Sequence, residues 1–348
     1  MVHSVRANRS AFRRSLSRVL AGVGACLCAT TVAAYFGRFG WLFDQASQFR
    51  VQYAAGLSFL ALLFLIRHQW RKGIAFAAFA LLNLAVLWPY LLPARSEATH
   101  TGSPARILLC NVLCKNQDAE RLRNLIGKSD PDIVVLLELT PRWMDDLKEL
   151  ERRYPYRTTC AYDGQFLIGM WSRLPIRQAQ SEPLGVPQRP SLVVEIEAPD
   201  GRPLTLIATH PSAPLTPGGA RQRDLQLAAV ARRAAEFPGR LVLVGDMNTS
   251  PWSYSLRQLV TVSHLRDSAT YSGLTPTWPT YVPPLEIPLD QCLTSDDLEV
   301  IRKERGARVG SDHFPLLLEV ALVRGRSPAA GSAPSSTAEG RRIARHRG

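Results

Sequence analysis

The sequence predicts an α/β domain with a two-layered sheet core and helices packed outside it, set behind a membrane-spanning region. Three observations predict it. Long apolar stretches fill the first 92 residues. From 105 to 323, strand-like apolar runs are mixed with a few longer amphipathic segments, the pattern of sheets covered by helices. Polar residues close one apolar run after another, where an unpartnered carboxylate or imidazole is costly.

The apolar stretches are "VLAGVGACLCATTVAAYFGRF" from Val19, "VQYAAGLSFLALLFLI" (51–66) and "GIAFAAFALLNLAVLWPYLL" (73–92). A spanning helix needs about 20 apolar residues. The first and third reach that length, while the second is short and would cross with little tilt, borrow flanking residues or lie re-entrant. A signal peptide is the competing reading of the first stretch, but two more apolar stretches follow and no clear small-residue cleavage site ends it. The alternative to three spans is a hairpin plus an interfacial helix, which would invert the topology.

Positive residues set the orientation. Arg6, Arg9, Arg13, Arg14 and Arg18 precede the first span, and Arg67, Arg71 and Lys72 lie between the second and third. These segments, including the basic N-terminus 1–18, are expected on the cytoplasmic side. Three spans within 19–92 then put the rest of the chain on the far side of the bilayer, with Trp88 and Tyr90 near the outer surface. A Pro/Ser/Thr/Gly-rich linker (93–104) leads into the domain, and residues 324–348 have the composition of a disordered basic tail.

The formal charge of +13 invites a nucleic-acid reading. It does not survive division by region. Residues 1–72 hold ten Lys/Arg and one acid, and 324–348 hold six Arg and one acid, which leaves 26 basic and 27 acidic residues between them. A near-neutral body is no polyanion-binding surface by charge alone. The six cysteines form no CxxC or zinc-spaced cluster and are read as thiols.

Within 105–323 the predicted strands are 106–113, 132–139, 166–172, 191–198, 203–210, 240–246, 289–295 and 316–322. Helices are predicted over 117–130, ending near Gly127, over 140–154, opened by Thr140-Pro141, and over 218–237. At or just past strand ends stand Asn111, Glu138, His210, Asp246, Asn248, Asp290, Asp312 and His313. Singly, several have plain explanations: Asn111 as a strand-end hydrogen bonder, Asp246 with Asn248 as caps of a helix starting near Ser250, Asp290 as a turn residue, His210 as a loop cap. Glu138 after "DIVVLL" and the Asp312-His313 pair in "GSDHFPL" have no such easy account. Four acids in such places need a shared counter-charge. A hard divalent cation, Mg²⁺ or Mn²⁺, supplies it through oxygen ligands, and neighbouring histidines suit proton transfer. The combination points to metal-assisted phosphoryl transfer to water.

The ordered motifs "GDMN" (245–248) and "GSDHFPL" (310–316), supported by "LLEL" (136–139), "WSRLPI" (171–176) and "TPTWP" (275–279), resemble the endonuclease/exonuclease/phosphatase superfamily over 105–323. With the membrane stretches, the chain looks most like bacterial membrane-anchored members. The resemblance implies a deoxyribonuclease I-like, four-layered α/β/β/α sandwich and a phosphodiester or phosphomonoester substrate: a lipid head group, a small phosphoester or nucleic acid. It implies a multi-pass protein of the bacterial inner membrane with an extracytoplasmic catalytic domain and the bilayer as its partner. By the same resemblance Glu138, Asn111 and Asp312 are metal residues. Asp246 orients or deprotonates the attacking water, and Asn248 donates to the phosphate. His313 faces the scissile group, held by Asp290, and His210 matches a second site histidine. Gln291 departs from the histidine often found beside Asp290, and the tyrosine of abasic-site enzymes has no match. The rival readings are a nuclease acting on extracytoplasmic DNA or RNA, and a non-catalytic scaffold that binds a phosphorylated partner.

Overall fold

The computed structural model describes residues 2–93, 99–161 and 167–323. Residues 94–98, five of the twelve in the expected linker, and the tail 324–348 lie outside the described residues.

The N-terminal region folds as helices α1 (Val2–Ala33), α2 (Trp41–Ser47), α3 (Arg50–Ile66) and α4 (Trp70–Leu91), with a 3-10 segment at Ala34–Phe39. Two helical runs, Arg14–Phe39 and Trp70–Leu91, are long and apolar enough to cross a membrane. The second expected span is different. The 17 residues of α3 rise about 25 Å, short of a hydrocarbon core of about 30 Å. Helix α2 continues the apolar run, but at a 61° bend. Leu57, Leu60, Ala61, Phe64, Phe76 and Ala80 pack α3 on α4. Arg14, Arg18, Arg67 and Lys72 line a cleft at one end of the bundle, where Ser17 and Gln69 also meet. The other end, formed by α2, rests on the sheet-containing region that follows, where Asp44 meets Arg223 and Tyr254.

Strands β1 (His100–Asn111), β2 (Ile133–Leu139), β3 (Tyr156–Cys160) and β4 (Leu167–Ser172) belong to the first sheet. Strands β5 (Ile176–Glu182), β6 (Ser191–Glu197), β7 (Pro203–Thr209), β8 (Leu241–Asp246), β9 (Arg266–Asp267) and β10 (Asp290–Thr294) form the second. Strands β11 (Leu298–Arg305) and β12 (Leu316–Val323) return to the first, giving orders β11-β12-β1-β2-β4-β3 and β5-β6-β7-β8-β10-β9.

The inner faces meet through Ile107, Leu109, Val135 and Leu137 on one side and Val194, Leu206, Val242 and Val244 on the other, all buried. Helices α5 (Ala119–Ser129) and α6 (Pro141–Asp146) cover the first sheet through Leu122, Ile126 and Trp143, packed on Leu108 and Val134. Helices α7 (Pro217–Ala235) and α8 (Tyr254–Ser263) cover the second through Leu227, Val230 and Leu256, packed on Ile207 and Leu243. The result is the four-layered α/β/β/α sandwich expected. Alternation makes it: successive residues of β1 and β8 point to opposite faces, and both faces are apolar because both are covered.

Four local expectations need correction. Strand β1 begins at His100, inside the predicted linker, because β12 offers it a partner: His100 pairs with Val323 and Thr101 with Leu322. Backbone pairing carries the strand where side chains give no signal. Helix α5 runs past Gly127 to Ser129 and stops on left-handed Asp130. The helix expected over 140–154 ends at Asp146, and a 3-10 segment at Lys148–Arg152 follows with Leu150 turned inward. Helix α8 starts at Tyr254, not near Ser250, with Ser253 as the cap that accepts from Leu256 N–H.

Candidate active site

Each sheet contains one parallel pair, and each pair ends at the site. In the first sheet Asn111 of β1 pairs with Leu137 of β2, so Asn111 and Glu138 emerge together. In the second, Thr209 of β7 pairs with Gly245 of β8, which sets His210 beside Asp246. Antiparallel β10 begins where β8 stops, with Asp290 opposite Asp246. Ser311 Oγ donates to Asn111 O at 2.7 Å and accepts from His313 N–H at 3.1 Å, which hangs the Asp312-His313 segment over the end of β1.

Two backbone devices sharpen the aim. Glu138 sits at φ 60°, in a β-bulge where two residues of β2 stand against one of β4. Bulges re-aim a side chain near active sites, and a left-handed glutamate is strained unless its surroundings hold it. Gly245 is required by close approach: a Cβ there would lie 1.9 Å from Thr209 O. Gly245→Ala is therefore expected to cost about 1–3 kcal/mol of stability, and to move His210 away from Asp246, because backbone cannot yield as a side chain can. Chemical denaturation of the variant measures it.

The side chains form one network. Asn111 Nδ2 lies 2.9 Å from Glu138 Oε1 and 3.2 Å from Asp246 Oδ2. Cys114 N–H donates to Glu138 Oε2 at 3.2 Å. His210 Nε2 lies 3.2 Å from Glu138 Oε1, and its Nδ1 3.6 Å from Asp246 Oδ2. His313 bridges Asp290, Nδ1 to Oδ2 at 2.8 Å, and Asp246, Nε2 to Oδ2 at 3.5 Å. Asn248, at φ 49°, donates its backbone N–H to Asp246 Oδ1 at 2.9 Å and its amide to Pro211 O at 3.0 Å. Asp312 stands apart from the hydrogen-bonded network: its Oδ2 accepts from Trp278 Nε1 at 3.0 Å.

Charge follows from this geometry. Burial alone would raise the Glu138 carboxyl, but the His210 imidazole and the Asn111 amide outweigh it and hold it at about 2. Burial works against a charged His313; the carboxylates of Asp290 and Asp246 overcome it and hold the imidazole at about 10. His210 is raised in the same way, against burial, by Glu138 and Asp246. Asp246 is itself raised, first by burial and then by the Asp290 charge, with His313 and His210 opposing.

Four carboxylates thus face two imidazoles. Asp290 Oδ1 and Asp312 Oδ1 are buried with no hydrogen-bond partner. Excess negative charge and orphaned oxygens fit a divalent cation. Ligand atoms of Asp246, Asp290 and His313 also lie within 4.8 Å of one another. The short His313–Asp290 bond accounts for that closeness without an ion.

Some of the surroundings escaped sequence reading. Thr277 Oγ1 accepts from the backbone N–H groups of Leu289 and Asp290, both at 3.3 Å, and Trp278 holds Asp312, which gives "TPTWP" its work. Half-buried Arg189 feels the charges of Glu138 and Asp246, while burial lowers its pKa; nothing in "VPQRPSL" singles it out. Gln291 is turned away from substrate chemistry: it is fully buried and its amide donates to Pro288 O at 2.6 Å. All six cysteines are free thiols.

Two covered sheets with acids, amides and imidazoles gathered at the ends of their parallel pairs define a hydrolase of phosphoester bonds. The sequence profile of the endonuclease/exonuclease/phosphatase family matches residues 108–313, more than half of the chain, and the chain belongs to that family. Its members are metal-dependent hydrolases acting on phosphoesters. A sequence comparison with curated proteins gives no match. Among solved structures, D. rerio TDP2 complexed with single-strand DNA product is similar at TM-score 0.54 and 20% identity, over 63% of this chain and 99% of that one. The human nocturnin catalytic domain with bound sulfate is similar at 0.53 and 18%, over 65% and 97%. An endonuclease/exonuclease/phosphatase of Beutenbergia cavernae is similar at 0.53 and 20%, over 64% and 72%. At such identities the likeness establishes the fold.

Proposed function

We propose that the chain is a membrane-anchored, Mg²⁺-dependent phosphoesterase whose catalytic domain lies outside the cytoplasm. It would hydrolyse a phosphodiester or phosphomonoester by in-line attack of water. The observation that carries this reading is the meeting of Asn111, Glu138, His210, Asp246, Asp290 and His313 from both sheets at one edge.

Glu138, Asn111 and Asp312 would hold the Mg²⁺, or Mn²⁺ in its place. Bound there, the cation supplies Lewis-acid neutralisation of charge that develops on the phosphoryl oxygens. Asp246 orients the water and accepts its proton, a task its raised pKa suits. His313, charged at neutral pH, donates Nε2–H toward the phosphoryl group, while Asp290 fixes its Nδ1. Asn248 spends one amide hydrogen on Pro211 and offers the other to the phosphate. His210 holds Glu138 in place.

Membrane attachment rests on the two spanning-length helices. The extracytoplasmic orientation is supported by the basic cleft of Arg14, Arg18, Arg67 and Lys72 at the end of the bundle away from the domain. Exposed Phe36, Phe39, Leu42 and Phe43 rim the domain end, as apolar groups at a bilayer surface would. A bacterial inner membrane is the location that the resemblance to bacterial membrane-anchored members would imply. A lipid head group or small phosphoester near the bilayer is the favoured substrate. A nuclease acting on DNA or RNA is the second reading, favoured by the likeness to TDP2 bound to a DNA product.

The test is a panel of phosphorylated lipids, nucleotides, DNA and bis-p-nitrophenyl phosphate, offered to the full chain in detergent with and without Mg²⁺. Turnover that EDTA abolishes and Mg²⁺ restores is expected. No turnover of any phosphoester with metal bound would leave the non-catalytic scaffold.

A further inference from the structure

The membrane helices do more than tether the domain. We propose that α2 and Gln48, which follows it, hold the loop carrying Asn248 in its working geometry, so that the membrane region positions part of the active site. This rests on the phosphoesterase reading above.

The loop in question is the chain from Met247 to Ser253, between β8 and α8. Four of its polar groups are satisfied from the membrane region. Gln48 uses both ends of its amide on consecutive residues: Oε1 accepts from Ser250 N–H at 2.7 Å, and Nε2 donates to Thr249 Oγ1 at 3.1 Å. Trp252 Nε1 donates to Ser47 O at 2.6 Å. Its ring stands edge-on to Tyr90 of α4, whose hydroxyl donates to Pro251 O at 3.2 Å. Just past the loop, Asp44 accepts from Tyr254 N–H at 2.9 Å and from Arg223 Nη2 at 2.7 Å.

These contacts are buried: Asp44, Ser47, Gln48, Thr249, Ser250, Trp252 and Arg223 are each at most 4% exposed. Water cannot replace a partner that is removed, so the Ser250 N–H would be orphaned without Gln48. The residue just before this clamp is Asn248, at a left-handed φ of 49° and bonded to Asp246 and Pro211. Such a residue keeps its conformation only when its neighbours fix it. A shift there moves the Asn248 amide and the Asp246 carboxylate together, and reaction rates are steep in such displacements.

The experiment uses the full chain in detergent with bis-p-nitrophenyl phosphate and Mg²⁺. Gln48→Ala is expected to lower kcat about tenfold, with KM and the Mg²⁺ requirement changed less than about twofold. Amide exchange over 248–254 should quicken in Gln48→Ala. Wild-type kcat or unchanged exchange in Gln48→Ala would overturn the proposal, as would a loss that appears only as raised KM. If Gln48→Ala does not fold, Trp252→Phe keeps an aromatic ring against Tyr90 but removes the bond to Ser47 and some buried ring volume; a kcat lowered about threefold with quickened exchange over 248–254 supports the proposal, and an unchanged kcat overturns it. If the wild-type chain turns over no phosphoester, the phosphoesterase reading fails by itself. The exchange measurement then still decides whether Gln48 holds the loop.

Discussion

Asp246→Asn is expected to lower kcat by about 10²- to 10⁴-fold while leaving the Mg²⁺ requirement near that of the wild type. The substitution keeps size and one oxygen acceptor but removes the basic site. Asp246 is 1% exposed and lies between His210 and His313, with Asn111 and the Asn248 backbone donating to it. Its carboxyl is raised by burial and by Asp290, so its carboxylate is a better proton acceptor than an ordinary one. An asparagine amide next to protonated His313 would also present N–H to N–H, so some stability should be lost with the activity. Initial rates against both substrate and Mg²⁺ read the two effects separately. A variant hydrolysing phosphoesters as fast as the wild type would refute the role given to Asp246.

Glu138→Gln should show the complementary defect. The carboxyl is held at about 2, so at neutral pH it is fully ionised and its charge is what the site uses. Glutamine keeps the length but removes that charge, leaving His210 with a weaker partner. The Mg²⁺ concentration for half-maximal rate is expected to rise at least about 10- to 100-fold, because even groups that only support a ligand cost that much. Activity titrated against Mg²⁺, with isothermal calorimetry for binding, measures it. An unchanged Mg²⁺ requirement would move the cation away from Glu138, and the Asp246, Asp290 and His313 group would be the place to look.

What the chain declares about its fold divides along a physical line. The eight predicted strands are β1, β2, β4, β6, β7, β8, β10 and β12, each with neighbours on both sides. The four unpredicted ones, β3, β5, β9 and β11, are the four sheet edges. An inner strand here is covered on both faces and must be an apolar run. An edge strand such as Ile176–Glu182, largely exposed, needs only one partner and can be polar throughout. The site was legible for a related reason: Glu138, Asp246 and Asp290 interrupt buried runs, and a buried acid is conspicuous. Arg189 sits in a polar loop where nothing makes it stand out, and Thr277, though inside the "TPTWP" motif, gives no sign of the backbone groups it holds. Asp44 was the lone acid of a basic region, and no local pattern could tie it to Arg223, 179 residues away.

The pairing of His100 with Val323 makes the catalytic domain a nearly closed loop. Its entry and exit lie across one strand pair, about 5 Å apart at the Cα atoms. A fluorescent or epitope tag fused after Val323 would therefore report which compartment receives the tether. Joining the two ends with a few glycines, and opening the chain elsewhere, should preserve the sandwich.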